Sequence, residues 1–569
     1  MIIFKEEQTL QQNINKYKKI TLATSIIRII LALSVVVFFI MLFSLQEFLL
    51  YGILSGISLL VFIIVLLFTN RYYNHLSFLN IKKNVYEKHK KRREHNLNTF
   101  FDTGIEFLSK DDYKEADLDL FGKNSLYQYL NVSKTKRGRI KLANLLKNGN
   151  ERDSKYTDAL LELASNEKSL DIEAEINKIS NQSSKIDTEE ILSSLSNKIK
   201  FNFLFLIPLL SFIGTIIYLI LIFTLKLNPL YIFVFLVLNF ATSKLFLRCE
   251  QFNIKATLYE NLFDSFIDIS NTYINNEYKS EYLNNYKNRI IELLPKLKSA
   301  KNLVDLLSFR YNFLFQAIGD SLFIIDFFII LIFNHKVKDN YELKELFEII
   351  SDIEAMLSLS IIGMDNETYC VAKDNDVIEF NDLYHPLIKN PVSNSLLFNK
   401  GIILTGSNMS GKTTFLRTIG IAQILYNANG LIPAKSFNTS HLDIYTSLRA
   451  NDMLEEGVST FYAEILRMKK INEAIKKGPC LVLIDEIFKG TNLNERLEAS
   501  FKIIEKLNDN NILFIISTHD LEITEAKNIL NYHFNEYYKD DKIYFDYIIK
   551  EGKSETTNAL YLLKMADII

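Results

Sequence analysis

Four uncharged apolar runs constrain this chain more than any other feature: Ile29 to Leu45, Phe48 to Thr69, Phe201 to Leu225 and Leu227 to Ser243. Only Gln46-Glu47 separates the first pair, and only Lys226 the second. A helix needs about 20 apolar residues to cross the hydrocarbon core of a bilayer. Four helices apolar on all sides do not fit the core of a mid-sized soluble protein, whose helices carry one apolar stripe. Two transmembrane hairpins are therefore expected, over residues 26–69 and 201–247. The first run is not a cleaved signal peptide, because it is long, lacks a small-residue cleavage site and has a second span directly behind it.

Charge sets the orientation. Lys16, Lys18 and Lys19 precede the first hairpin, and Arg71, Lys82, Lys83, Lys88, Lys90, Lys91, Arg92 and Arg93 follow it. Lys198, Lys200, Lys244 and Arg248 flank the second, whose turn holds only Lys226. Basic residues stay on the cytoplasmic side, so the expectation is an integral protein of the cell (inner or plasma) membrane with four spans. Both termini and the soluble parts would be cytoplasmic. The basic stretch 82–93 is read as fixing this topology and touching anionic lipid headgroups, a nucleic-acid patch being the alternative. A fifth apolar stretch, Tyr311 to Phe333, contains Gln316, Asp320 and Asp326, which are costly at bilayer depth. It is read as one long core helix, with a re-entrant segment as the alternative. The 65 Lys and Arg nearly balance 67 Asp and Glu, which excludes a globally basic nucleic-acid coat. Cys249, Cys370 and Cys480 are too scattered for a disulfide framework or a zinc site.

After residue 375 short apolar runs alternate with helical stretches, the pattern of an α/β domain with a largely parallel sheet. The run Gly401 to Thr405 leads into Gly406, Ser407, Asn408, Met409, Ser410, Gly411, Lys412, Thr413 and Thr414, which fits a phosphate-binding loop between strand and helix. Glycines let successive backbone N–H groups and the helix N-terminus converge on phosphate. Lys412 would reach the β- and γ-phosphates, and Thr413 would ligate Mg²⁺. A second apolar run, Cys480 to Ile484, ends in Asp485 and Glu486. Asp485 is placed to hold Mg²⁺, partly through water, and Glu486 to deprotonate the attacking water. A third, Ile512 to Thr518, delivers His519 to the same sheet edge, as a γ-phosphate contact or a structural histidine.

Together these segments resemble the MutS family, ATPases of the ATP-binding cassette class. The likeness rests on Thr405 to Thr414 with its internal Asn408-Met409, on Glu456 to Glu464 with Ser459-Thr460-Phe461, on Asp485 to Asn492, and on Ser517-Thr518-His519. Tyr384-His385-Pro386-Leu387, Asn531-Tyr532-His533-Phe534, Asp119 to Asn131 and Asp352 to Leu359 are similar to further family segments. The resemblance implies an ATPase that uses ATP and Mg²⁺ and works as a homodimer, with Ser459 acting in trans on a partner's nucleotide. The family's N-terminal mismatch-reading domain, with its Phe-x-Glu wedge, has no counterpart here, and the second hairpin interrupts the helical core. After the ATPase part little length remains for a dimerising tail. Any double-stranded DNA would then be held without mismatch preference, through cations such as Lys134, Lys136, Arg137, Arg139 and Lys141. The expected plan is a cytoplasmic segment 1–25, hairpin 26–69, helical core 70–200, hairpin 201–247, helical core 248–374 and an α/β ATPase domain 375–569. An ATP-driven transporter or a nucleotide-switched membrane scaffold are the alternatives.

Overall fold

In the computed structural model the structure describes residues 3–44, 48–109, 111–179, 185–196, 203–247, 256–308, 313–336, 341–407, 409–449, 460–488, 492–539 and 542–554. Among residues singled out above, Gln46, Glu47, Lys198, Lys200, Arg248, Cys249, Tyr311, Asn408, the stretch 456–459 that includes Ser459, and 489–491 lie outside them. The N-terminal region is helical and the C-terminal part holds α/β sheets. The chain divides into two units, one formed by Met1–Lys90, Glu167–Asn276 and Ile290–Leu346, the other by Lys91–Asn166, Glu277–Arg289 and Phe347–Ile569.

The first unit is all helical. Its two longest helices are Ile3–Ser44 and Phe48–Arg93, of 42 and 46 residues. At 1.5 Å per residue the longer measures about 69 Å, more than twice a hydrocarbon core of about 30 Å. The apolar runs are therefore only parts of longer helices. Beyond them, Leu10 and Ile14 pack with Leu79, Val85 and Tyr86 and with Leu170 and Ala174. The Tyr17 ring meets His75 at 4.4 Å, and the hydroxyls of Ser34 and Ser58 hydrogen-bond between the apolar parts. Among the described residues, four helices are long and apolar enough to cross a membrane: Glu7–Leu42, Leu49–Arg93, Phe203–Leu225 and Pro229–Phe246. Their large apolar side chains point outward, Leu33, Leu60, Phe223 and Phe233 being 60–83% exposed.

Two expectations change in this unit. Cations of the basic stretch turn inward. Lys82 pairs with Asp171 at 2.7 Å, Lys88 donates to Asn177 Oδ1 at 2.5 Å, and buried His89 meets buried Glu173 at 2.8 Å. Ionisable groups removed from water need partners, and the helix Ser169–Asn177 supplies them for Lys82, Lys88 and His89, while Lys90 stays exposed and the Lys83 side chain is 40% exposed. The stretch 311–333 is not one long helix. Helices Phe313–Phe323 and Ile325–Lys336 meet at Ile324, whose φ is +42°. Asp320 forces the break, because its Oδ1 accepts the Asp326 backbone N–H at 2.9 Å and so caps the second helix, a common role for Asp.

In the second unit, helical segments from 91–166 and 347–365 precede the sheets. Buried Arg92 donates from Nε to Tyr129 O at 2.9 Å, and Arg93 pairs with Asp365 at 3.1 Å. Glu354 is fully buried. It accepts the N–H groups of Lys134 and Thr135 at 2.9 and 3.1 Å, and the Thr135 hydroxyl as well. Thr135 in turn caps the helix Lys136–Asn148. The cations assigned above to DNA contact are largely used here: Arg137 pairs with Glu348, Arg139 with Asp102 and Glu106, and Lys141 with Asp352.

The strands are β1 (Lys373–Asp374), β2 (Ile378–Leu383), β3 (Asn394–Phe398), β4 (Gly401–Thr405), β5 (Ser436–Thr439), β6 (Asp443–Ser447), β7 (Cys480–Asp485), β8 (Leu513–Ser517), β9 (Ile529–Lys539) and β10 (Lys542–Glu551). One sheet has the order β1-β5-β2-β3, the other β10-β9-β4-β8-β7-β6. In the larger sheet every neighbouring pair is parallel except β9 with β10. Strand β4 is buried along its whole length and β7 along all but its last residue, as a parallel strand covered on both faces must be. Register aligns Leu404 with Ser517 and Ser517 with Asp485, so three strand ends meet at one edge. In open parallel sheets that carboxyl edge is where ligands bind.

Candidate functional site

Strand β4 turns into the helix Lys412–Asn427 through the glycine loop. Two positions of the loop demand glycine. Gly406 has φ +145°, and a Cβ there would lie 2.9 Å from Phe534 O; Gly411 has φ +103°, and a Cβ would lie 3.0 Å from the Tyr547 ring. Side chains are strained at such φ values. The loop opens on a cleft of about 660 Å³, which Lys412, Thr413, Asp485 and Glu486 line together with Gly411 and Thr414. Ser407, Met409 and Ser410 line it too.

Lys412 is buried, and its ammonium donates to Gly406 O at 2.8 Å and Ser407 O at 2.9 Å, with His519 Nε2 3.4 Å away. The Thr413 hydroxyl donates to Asp485 Oδ2 at 2.5 Å. Ser517 donates to the other Asp485 oxygen. Glu486 Oε1 lies 3.2 Å from His519 Nε2. The residue after β7 turns left-handed, with Glu486 at φ +60° and its N–H donating to Ser517 O at 3.0 Å. The carboxylates Asp485 and Glu486 thus diverge, one toward Thr413 and the other toward His519. Behind His519, Asp520 receives both Nε and Nη2 of Arg496 at 2.7 Å, a bidentate pair.

The structure brings together every described residue assigned above to the loop and strand ends; Asn408 and Ser459 lie outside the described residues. Three further residues belong to the cleft's surroundings. His385 lines it, with Nδ1 accepting the Leu387 N–H at 3.2 Å. Burial pushes its imidazole down to about 4, with the positive charges of Arg417 and His95 acting the same way, so the ring is neutral at neutral pH. Tyr547 lies in β10 within the register irregularity between Phe545 and Ile549, at φ +55°, and its ring covers the loop at Gly411. Glu536 of β9 accepts the Ser407 hydroxyl at 2.6 Å. The Tyr384 to Leu387 segment signalled His385 in the sequence. Nothing local signals Tyr547 or Glu536, which reach the loop through sheet pairing.

An α/β unit with a glycine loop at a parallel sheet's carboxyl edge defines a broad class, and the comparisons narrow it. Residues 402–568 match MutS domain V. DNA mismatch repair protein MutS of Persephonella marina is 32% identical over 231 residues, covering 38% of this chain and 26% of the relative. The MutS protein of Clostridium novyi is 26% identical over 337 residues, covering 54% and 35%, and that of Aquifex pyrophilus is 32% identical over 173 residues, covering 29% and 20%. Residues 402–568 thus carry a domain of the MutS family, and the chain spans about a third or less of the length of these curated relatives.

Proposed function

We propose that this chain is a membrane-anchored, MutS-like ATPase that binds and hydrolyses ATP with Mg²⁺ as a homodimer. The observation that carries the reading is the convergence of Lys412, the Thr413–Asp485 pair and the Glu486–His519 pair on one glycine loop. Thr413 and Asp485 present hard oxygen donors to one point, the ligand type Mg²⁺ takes together with phosphate oxygens and water. Thr413 and Asp485 would hold the ion, which would supply charge neutralisation for the phosphates when bound. Lys412 adds a fixed positive charge at the loop, and the loop's backbone N–H groups orient the phosphates. Glu486 accepts a proton from the attacking water, and His519 orients that carboxylate and meets the γ-phosphate. Phosphoryl transfer asks for little beyond this positioning and charge.

The test is Glu486→Gln in the purified full-length protein, which keeps the shape of the site and removes the base. ATP binding should persist while turnover falls by about 100-fold or more, the scale of general-base catalysis. Normal hydrolysis by this variant would remove Glu486 from the role. Dimeric action through Ser459 is tested by mixing Lys412→Ala and Ser459→Arg chains: recovered hydrolysis supports composite sites, and none in proven mixed dimers counts against them.

The four long apolar helices and their outward side chains support anchoring in the inner or plasma membrane, with the α/β part in the cytoplasm. Double-stranded DNA remains a proposed partner, held through the backbone without mismatch preference. Since Arg137, Arg139 and Lys141 are ion-paired, that contact falls to other cations. A competition between a homoduplex and the same duplex with a G·T mispair decides it, a tenfold preference (about 1.4 kcal/mol) for the mispair refuting the proposal.

A further inference from the structure

We propose that residues 313–336 form a re-entrant helix pair embedded in the bilayer, with its outer face against lipid acyl chains. The proposal rests on the reading of the two hairpins as spans and extends it to a segment too short to cross. The span Pro229–Phe246 has 18 residues, about 27 Å of helix at 1.5 Å per residue, and Asn239 lies within about 2 Å of its middle. The Asn239 amide donates to Ser321 O at 3.0 Å and to Thr215 Oγ1 at 3.0 Å, and the helix Phe313–Phe323 packs along the same span. Ser321 therefore shares the depth of Asn239, the middle of the membrane.

The chain turns back at that depth. A Cβ on Gly319 would lie 3.1 and 3.3 Å from the Ile325 side chain, whereas six residues of continuous helix rise about 9 Å. The helices on either side of the break have 11 and 12 residues, about 16 and 18 Å, or roughly half of a 30 Å core each. The helix before the segment and the helix after it lie side by side, Lys296 of the one pairing with Glu342 of the other. Backbone at bilayer depth must find its hydrogen bonds inside the protein. Asp320 meets that demand: its Oδ1 accepts the Asp326 N–H and its carbonyl accepts the Ile324 N–H at 3.2 Å. Asp320 and Asp326 are themselves buried. Ile318, Leu322, Phe323, Phe328, Leu331 and Ile332 instead point outward, 40–60% exposed. At the depth that the Asn239–Ser321 contact sets within the span, an outward apolar face meets lipid acyl chains.

The chain contains no Trp, so a single introduced Trp reports its own surroundings. Phe323→Trp, Phe328→Trp and Ile332→Trp are compared in full-length protein reconstituted into vesicles, against Val237→Trp as the span control and Phe101→Trp, 96% exposed in the second unit, as the water control. Phosphatidylcholines brominated at shallow or deep acyl positions probe lipid contact, and iodide probes water. Brominated lipid should quench the three test positions as strongly as Val237→Trp, Phe323→Trp most by the deepest bromines, and iodide should leave them bright. Quenching by iodide at the level of Phe101→Trp, with Val237→Trp still quenched by lipid, overturns the inference and leaves the hairpins standing. Shielding from both quenchers assigns the face to protein and also overturns it. Failure of Val237→Trp to feel brominated lipid would instead refute the hairpins themselves. If one aromatic variant does not fold, Ile332→Trp in the second helix carries the same comparison.

Discussion

Asp117 is the most exacting place to test how the segment 113–122, with its short helix Tyr113–Asp117, is joined to the large sheet. Its carboxylate is fully buried, and Arg467 opposite is 5% exposed. It accepts from Arg467 Nη1 at 3.0 and 3.2 Å, from the Thr446 hydroxyl at 2.8 Å and from the Leu448 N–H at 3.0 Å. The Arg467 guanidinium also sits 4.6 Å over the Tyr113 ring. One carboxylate thereby ties the end of β6 to the helix Thr460–Ala474. Asp117→Ala leaves a buried cation without its partner, which costs about 3–5 kcal/mol, and it orphans the Leu448 N–H. Asp117→Ala with Arg467→Met removes both charges and should cost only the orphaned groups, about 1–3 kcal/mol.

The assay is amide hydrogen exchange of the full-length protein, read on peptides covering β6 and residues 113–122, since a chain of two units has no single unfolding free energy. A loss of about 3 kcal/mol speeds exchange at β6 by roughly two orders of magnitude, at 1.4 kcal/mol per decade. The double variant should exchange more slowly than the single one. Acceleration of less than tenfold in Asp117→Ala, or a double variant faster than the single, would refute the reasoning that the buried pair holds this junction.

Two further outcomes follow from the cleft and from the helical segment beside it. Tyr547→Ala should weaken ATP binding, measured calorimetrically in the Glu486→Gln background, by roughly 5- to 100-fold if the ring over Gly411 stacks on the base, stacking contributing about 1–3 kcal/mol; unchanged affinity would remove Tyr547 from the site. Burial pushes the Glu354 carboxyl up to about 7 against the hydrogen bonds from Thr135 and Lys134 that favour its charged form. Between the ordinary value near 4.5 and that raised value the native state holds a proton the unfolded state has released, so this group's contribution to stability falls as pH rises through the window. Amide-exchange protection of the helix Lys136–Asn148 in wild type and Glu354→Gln should therefore diverge across it, wild type losing ground as pH rises; parallel profiles would contradict the assignment.

What could be read from the sequence was what is encoded locally. The glycine loop, Asp485, Glu486 and His519 stand at the ends of short apolar runs, and a parallel sheet carries its strand ends to one edge without further instruction. The apolar runs were equally legible, since length and absence of charge are local properties. Partners hundreds of residues apart were not. Arg137 meets Glu348 and Asp117 meets Arg467 across separations of 211 and 350 residues, so charges that look unpaired in the sequence have partners in the fold. The break at Ile324 is hidden for a related reason: in the sequence Asp320 and Asp326 read only as costs within one continuous helix, whereas the Asp320 side chain caps the next helix and that hydrogen bond offsets its burial.

Backbone strain gives an independent reason to place function at the end of β7. Glu486 and Phe488 both have positive φ, +60° and +54°, a conformation that costs a non-glycine residue of order 1–3 kcal/mol and persists only where its surroundings over-determine it. Glycine at 486 would relieve that strain while keeping the N–H that donates to Ser517 O. What glycine cannot supply is the carboxylate 3.2 Å from His519. The same left-handed turn separates Glu486 from its neighbour, leaving Asp485 with Thr413 and Ser517. Without it, two adjacent acids would crowd one place; with it, one is left for the proposed metal position and the other for the proposed attacking water. The strain is thus the local cost of giving consecutive carboxylates different tasks, and it points to the same residue as the proposed base.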